Sequence, residues 1–494
     1  MSLKEVLGSL KEISGRIVRA APRALFAIAA LGLAACASTG GPLGLTPAQE
    51  KAIGEQQHPQ ILAAFGGEVD DPQLKAYVQR VFDRLIAASD QPDAQIKLTV
   101  LDSPVVNAMA LPGHVYVTRG LLALSNSEAE LAGVLGHEIG HIFQRHIAKR
   151  VSRGNLSQLG AVAVAILTGD QDTAQLAGQA AQLYLLNYSR DQEFESDQVG
   201  VRLLARANYD PVAQADFLNT LGSWSNLELQ IAGVQRPPEY LSSHPNSAAR
   251  VRRAAQEANV LQQGGAQNAG RNRNVYLNAI DGIIYGDDPI TQGFVRGRDF
   301  VHPSIGFAFT APSGFELRNS SQAVTARSSS GAQMQFSGAS SQEGPDALIN
   351  GAISQSLKID LSPAQRITVN GRRGAVGQAR ANTRNGQVDV TAYAIQWQVA
   401  TNYIFLWVTP ANQTRQLQSA MNRTVQSLRT VDARSANAPA ARRVDVVTVQ
   451  PGDTVERLSG YMAFPNYKTE RFQIMNGFQN GARLEPGERA KLVR

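Results

Sequence analysis

Two histidines and a glutamate, His137, Glu138 and His141, interrupt the apolar run SEAELAGVLGHEIGHIF at residues 127–143. Ser127 and Glu130 stand in capping-box spacing, so the run is predicted to start a helix that continues to about Lys149. Leu131, Leu135, Ile139 and Ile142 fall on one side of that helix. His137 and His141, one turn apart, stack on roughly the opposite side. A helix buried on both faces must give its imidazoles partners. One zinc ion answers the requirement. Neutral imidazole nitrogens at i and i+4 reach a single ion about 2.0–2.1 Å away, while Glu138, beside the first histidine, addresses a water. A pair of core histidines satisfied by other side chains is the alternative that the motif alone leaves open.

A catalytic zinc keeps three protein ligands and one open position, so a third ligand is required. The stretch NYSRDQEFESDQVGVRLL at residues 187–204 offers one. Glu193 is the candidate because Asp197 lies one helical turn beyond it, placed to accept the outer N–H of a ligand histidine and fix its tautomer. Taken alone, Asp191, Glu193, Glu195 and Asp197 also read as a solvated acidic helix face.

Four segments, NAMALPGHVYVTRGLL, SEAELAGVLGHEIGHIFQRH, YSRDQEFESDQVGVRLL and SSHPNSAARVRR, occur in an order and spacing that resembles the zinc metallopeptidase family of the CAAX prenyl protease, HtpX and the periplasmic protease-chaperone BepA. The resemblance covers about residues 45–255. It implies a gluzincin fold with one Zn2+ per chain, held by His137, His141 and Glu193, with Glu138 catalytic and Asp197 behind the ligands. It also implies that Asn107, Ala108, Met109 and Ala110 belong to an edge strand beside the cleft, where an extended substrate adds by backbone hydrogen bonds. An ordinary edge strand is the other reading of that segment. Two positions depart from the family pattern: Ser196 stands where alanine is common, and His114 where a second glycine often follows Pro-Gly. His244, just before a proline, is either a turn residue or a group at the cleft. In the cleft it would plug zinc's open position or donate to the oxyanion, and it is counted among the catalytic candidates.

The chain's N-terminus sets the compartment. A basic leader (Lys4, Lys11, Arg16, Arg19, Arg23) precedes an apolar segment too short to span a bilayer, and LAAC at residues 33–36 looks like a bacterial lipobox. Cleavage there leaves Cys36, the only cysteine, as a lipid-bearing N-terminus on the periplasmic side of the outer membrane. A plain signal peptide, or a hydrophobic helix with a chance cysteine, is the alternative. Removing residues 1–35 takes away five positive and two negative charges, so the formal charge falls from +6 to +3, too weak a balance to argue for nucleic acid. The apolar pieces LGAVAVAIL and AAQLYLL each fall far short of the roughly 20 residues a transmembrane helix needs. They read as core or as a cover over the cleft.

At the other end, VVTVQPGDTVERLSGYM, RFQIMNGF and LEPGERAKLV resemble a LysM module, which implies binding to N-acetylglucosamine-containing glycan, here peptidoglycan. A small structural cap is the bland reading. Polar stretches without apolar periodicity mark the boundaries. The expected fold is multidomain: a lipoprotein signal peptide (1–35), a mainly α gluzincin-type metalloprotease domain with a small β-sheet (36–255), a linker and connecting segment (256–297), an α+β domain of unknown role (298–430), a linker (431–443) and a small βααβ LysM-like domain (444–494). The expected function is a zinc metalloendopeptidase of the cell envelope acting on unfolded or unassembled envelope proteins. A chaperone or scaffold with a latent zinc site, and a metallo-hydrolase of peptidoglycan peptides, are the rivals.

Overall fold

The computed structural model describes residues 45–153, 188–232, 244, 248–265, 269–319, 323–357, 359–383, 386–432, 436–478 and 483–494. The expected signal peptide, Cys36 and both short apolar pieces lie outside the described residues. The described residues form two compact units, one built from residues 45–286 together with Arg442–Arg494, the other from Asp287–Ala441.

The first unit opens with α1 (Pro47–Ala64), started by a Thr46–Gln49 capping box, and α2 (Pro72–Ala87), whose N-cap Asp71 accepts from the amides of Gln73 and Leu74. A small sheet follows, of β1 (Lys97–Leu101), β2 (Ala108–Leu111) and β3 (His114–Thr118). Its order is β1-β3-β2, with β1 parallel and β2 antiparallel to β3, so β2 is an edge strand. Then come α3 (Arg119–Leu124), α4 (Glu128–Phe143), α5 (His146–Arg153), α6 (Arg190–Arg206), α7 (Ala213–Ala232), α8 (Ala248–Gln263) and α9 (Arg273–Ile280). Leu74, Val78, Val81, Phe82 and Leu85 of α2 share one core with Leu131, Leu135 and Ile139 of α4. Each such side chain contributes about 1.5–3 kcal/mol by burial. The core therefore holds the histidine-bearing helix along its apolar stripe.

That helix is shorter than its sequence predicts. Ser127 caps it through the Glu130 amide, but it ends at Phe143 instead of reaching Lys149. The cause is tertiary: Arg145 takes left-handed backbone (φ 51°), and its guanidinium is anchored to Glu50 of α1 and, at 2.9 Å, to the Leu45 carbonyl. The chain restarts as α5 in a new direction. At the far side of this unit, α8 runs through residues 256–263 and α9 buries Tyr276, Leu277 and Ile280, although residues 256–274 have the polar composition of a linker.

The second unit is antiparallel. Strands β4 (Phe294–Arg296), β5 (Asp299–His302), β6 (Phe307–Thr310) and β14 (Arg429–Thr430) make a four-stranded sheet in the order β14-β6-β5-β4. Strands β7 (Phe315–Arg318), β8 (Val324–Ser328), β9 (Gln333–Ser340), β10 (Gln365–Val369), β11 (Arg372–Thr383), β12 (Gly386–Gln398) and β13 (Thr401–Pro410) make a seven-stranded one. Alternation along β13 decides its faces: Tyr403, Phe405 and Trp407 enter an aromatic core with α10 (Thr414–Gln426). Ile404, Leu406 and Val408 meet the short helical stretch at 345–357.

Residues 444–494 form β15 (Val444–Thr448), α11 (Val455–Gly460), α12 (Lys468–Asn476) and β16 (Arg489–Val493), with β15 and β16 antiparallel. This β-α-α-β segment packs into the first unit. Lys491 of β16 is buried, and its ammonium donates to the carbonyls of Ala123 (2.9 Å), Leu124 (3.0 Å) and Ser125 (2.6 Å) at the end of α3. Three acceptors replace the water that a buried cation loses. Arg273 bridges further, to the carbonyls of Asn126 and Arg489. Among the described residues no helix is long and apolar enough to cross a membrane.

Candidate metal centre

The centre exists because two helices cross with almost nothing between them. A Cβ on Gly136 would lie 3.1 Å from Gly200 Cα, one on Gly140 would lie 3.0 Å from Ser196 Cα, and one on Gly200 would lie 3.1 Å from the His137 nitrogen. Backbones this close leave no room for a side chain at the crossing of α4 and α6. The residues beside the glycines therefore point into one space: His137 and His141 from α4, Glu193 and Asp197 from α6. The Ser189–Gln192 capping box places Glu193 in the first turn of α6.

His244 joins them, and one donor atom from each of His137, His141, Glu193 and His244 lies within 4.8 Å of all the others. All four side chains are buried. His137 Nε2 is 3.0 Å from His141 Nε2 and 3.3 Å from His244 Nδ1. Glu193 Oε1 is 3.0 Å from His244 Nδ1 and 3.5 Å from His141 Nε2, and its Oε2 is 3.6 Å from His137 Nε2. A tetrahedral ion with ligands about 2.0–2.1 Å away spaces its donors roughly 3.3–3.4 Å apart, so the separations fit zinc. Donor chemistry agrees, since imidazole and carboxylate both suit that ion. Glu138, next to the cluster, is wholly buried, and neither carboxylate oxygen has a hydrogen-bond partner among the described residues; Oε1 lies 3.7 Å from His244 Nε2. Such a buried carboxylate needs a proton donor that no described residue provides within hydrogen-bond distance.

Residues 72–258 match peptidase family M48. That stretch, less than half of the chain, is similar to M48 peptidase domains. The beta-barrel assembly-enhancing protease of Yersinia pestis is 30% identical over 223 residues, which make up 43% of this chain and 44% of that protein. Its namesake in Escherichia coli (strain K12) is 28% identical over 203 residues, 39% of this chain and 40% of the relative. The mitochondrial metalloendopeptidase OMA1 of Schizosaccharomyces pombe is 29% identical over 212 residues, 41% and 59% of the two chains. The chain thus spans less than two thirds of the length of each of these relatives.

Electrostatics around the cluster sort the buried groups. Burial, then the charges of His137 and His244, keeps the His141 pKa well below its ordinary value, so this imidazole is neutral and ready to ligate. Burial opposes charge on His137 too, but the hydrogen bond it donates to Asp197 and the charge of Glu193 outweigh it and raise its pKa. For Glu138, burial dominates and pushes the pKa up despite His244 and His137. Glu193 is lowered, the pull of His244 and Arg250 overcoming burial.

Asp197 sits where its spacing suggests, with Oδ1 2.9 Å from His137 Nδ1. The clamp on Asp197 was not read from the sequence. Arg250 of α8 grips Asp197 with two donors at 2.7 Å each and reaches Glu193 Oε2 at 2.5 Å. Its position in SSHPNSAARVRR carries a faint signal, a basic residue on an otherwise small-residue helix face. Asn107 is buried just before β2, its Oδ1 without a partner among the described residues, and Ala108, Met109 and Ala110 lie in that edge strand, which packs against α4. His114 opens β3 opposite Leu111 of the edge strand, and its ring stacks on His58 with centroids 4.7 Å apart.

Proposed function

We propose that this chain is a zinc metalloendopeptidase of the bacterial cell envelope that hydrolyses misfolded or unassembled envelope proteins. The observation that carries the reading is the orphaned Glu138 carboxylate beside a four-donor buried cluster in an M48 domain. Zinc held by His137, His141 and Glu193 would supply Lewis acidity at the scissile carbonyl and lower the pKa of a water. The protein's own part is proton management. Glu138 accepts the water's proton and delivers it to the leaving amine; its burial, by raising its pKa, brings it nearer the working pH of a general base. Asp197 keeps His137 in the ligating tautomer, and Arg250 keeps Asp197 ionised. An extended substrate adds beside Asn107 and the β2 residues Ala108, Met109 and Ala110, through backbone hydrogen bonds that tolerate many side chains. Relatives named for enhancing β-barrel assembly support envelope proteins as the substrate class.

The decisive experiment incubates the zinc-loaded chain with casein, with an unfolded outer-membrane protein and with purified peptidoglycan. Cleavage of the two proteins supports the proposal. Protection from aggregation without cleavage would assign a chaperone with a latent site, and release of peptidoglycan peptides would assign the other hydrolase. Attachment is proposed to be double, by a lipid on Cys36 to the outer membrane and by residues 444–494 to peptidoglycan. Cys36→Ser should then leave the outer-membrane fraction while still co-sedimenting with sacculi; persistent salt-resistant membrane association argues against the lipid anchor, and absence from the sacculi argues against the glycan site.

His244 occupies a corner of the donor cluster that a catalytic zinc would keep for water. In the proposed resting state it is therefore a plug. His244→Ala should raise basal casein cleavage with zinc retained. A fall of about 10²-fold or more would instead make it an oxyanion donor, and unchanged rates would return it to a turn residue.

A further inference from the structure

The two histidines of the zinc helix are held from behind by different chemistry. His137 Nδ1 meets a carboxylate, Asp197, at 2.9 Å. His141 Nδ1 meets another imidazole: Nδ1 of His146 lies 2.8 Å away, and His146 Nε2 lies 2.9 Å from Glu195 Oε2. His146 is completely buried, and Glu195 is about half exposed (48%). Tyr188 stacks on the His141 ring, with centroids 3.7 Å apart and planes 21° from parallel.

Protons along this row determine one another. Two ring nitrogens 2.8 Å apart share one proton, so one donates and the other accepts. For His141 to turn its Nε2 lone pair toward Glu193 and His244, its proton must sit on Nδ1, and His146 must accept there. His146 then carries its own proton on Nε2, which donates to Glu195. The reversed row would place a His146 lone pair against the Glu195 carboxylate and a His141 proton on Nε2, against His137 Nε2 at 3.0 Å. Glu195 disfavours that arrangement by like-sign repulsion.

The geometry assigns His146 and Glu195 as positioning residues, a His-His-Glu relay that sets the tautomer and ring plane in which His141 ligates zinc. The fold supplies the relay deliberately. The left-handed turn at Arg145 ends α4 early and brings His146, first residue of α5, back beside His141. Gln192 donates to the His146 carbonyl at 3.3 Å, and Ser196 Oγ lies 3.4 Å from its Nδ1. Ser196 is the position at which this chain departs from the alanine common in the family it resembles, so the departure falls on the same ring.

This inference rests on the zinc reading, and its test is chosen to separate the two. Zinc affinity of the full chain is measured by competition with a chromophoric chelator, and ligand geometry by the visible absorption of the Co2+-loaded protein, for wild type, His146→Ala, His146→Asn, Glu195→Ala and the double alanine variant. His146→Ala should bind zinc about 10- to 100-fold more weakly and shift the Co2+ bands. His146→Asn, which keeps an acceptor, should bind more tightly than His146→Ala. Glu195→Ala should weaken binding by less, and add nothing in the His146→Ala background, because its effect passes through that ring. Unchanged affinity and bands in His146→Ala, equal losses in the alanine and asparagine variants, or additivity in the double variant would overturn the relay. Should His146→Ala fail to fold by circular dichroism, His146→Asn and Glu195→Ala decide by the same readouts. A wild-type chain that binds no zinc overturns the metal centre itself.

Discussion

Glu138→Gln is expected to lower peptide hydrolysis by about 10²–10⁴-fold while zinc stays stoichiometric, the range that a positioned general base contributes. The substitution is nearly isosteric, and Glu138 is not one of the four clustered donors, so neither packing nor ligation should change. What changes is basicity. A glutamine cannot take up a proton at neutral pH, and the carboxylate it replaces has no hydrogen-bond partner among the described residues that would need it for structure. Burying a neutral amide in place of a carboxyl group whose pKa burial already raises should leave stability equal or slightly higher. The measurement is steady-state cleavage of casein alongside metal content. Turnover within tenfold of wild type, with zinc bound, would remove Glu138 from the role of base.

Glu193→Ala should have its largest effect on the metal. Structural zinc sites bind with an apparent free energy of roughly 10–16 kcal/mol from four ligands, so losing one corresponds to about 2.5–4 kcal/mol, or some 10²–10³-fold in affinity. A second loss follows from Arg250. Its guanidinium is buried against both Glu193 and Asp197, and without Glu193 one positive charge faces the two histidines with a single counter-ion. That opposes a dication directly. Glu193→Gln, which keeps the volume and one oxygen, should fall between wild type and alanine. Chelator competition and zinc-to-protein ratio check both variants. Tight, stoichiometric zinc in Glu193→Ala would place the third ligand elsewhere.

Much of this centre is written in short-range pattern. Ser127 before Glu130, and histidines one turn apart on a helix with a leucine stripe opposite, need only helical geometry to be interpreted, and the structure has that helix and that stripe. The same holds for Glu193 and Asp197, which share a face of α6 because they are four residues apart. The β-α-α-β order near the C-terminus likewise follows from Thr454 as an N-cap and Gly477, with φ 69°, as a helix stop.

Other features depend on partners far away in the chain. Arg250 is one of several arginines in ARVRR until α8 packs on α6 and sinks its guanidinium between two carboxylates. Arg145 looks like a helix residue until Glu50 and Leu45 draw it into a left-handed turn, and only that turn makes His146 a neighbour of His141. Lys491, in the short strand pattern RAKLV, is placed by alternation and not by partner; the free carbonyls of α3 make its burial tolerable. By itself the sequence determined the local elements and which side chains each presents, because caps and periodicity act within a few residues. Which faces meet was decided by the tertiary structure: glycines at Gly136, Gly140 and Gly200 let two backbones touch, and only at that distance do histidines and carboxylates from separate helices come close enough to share one ion.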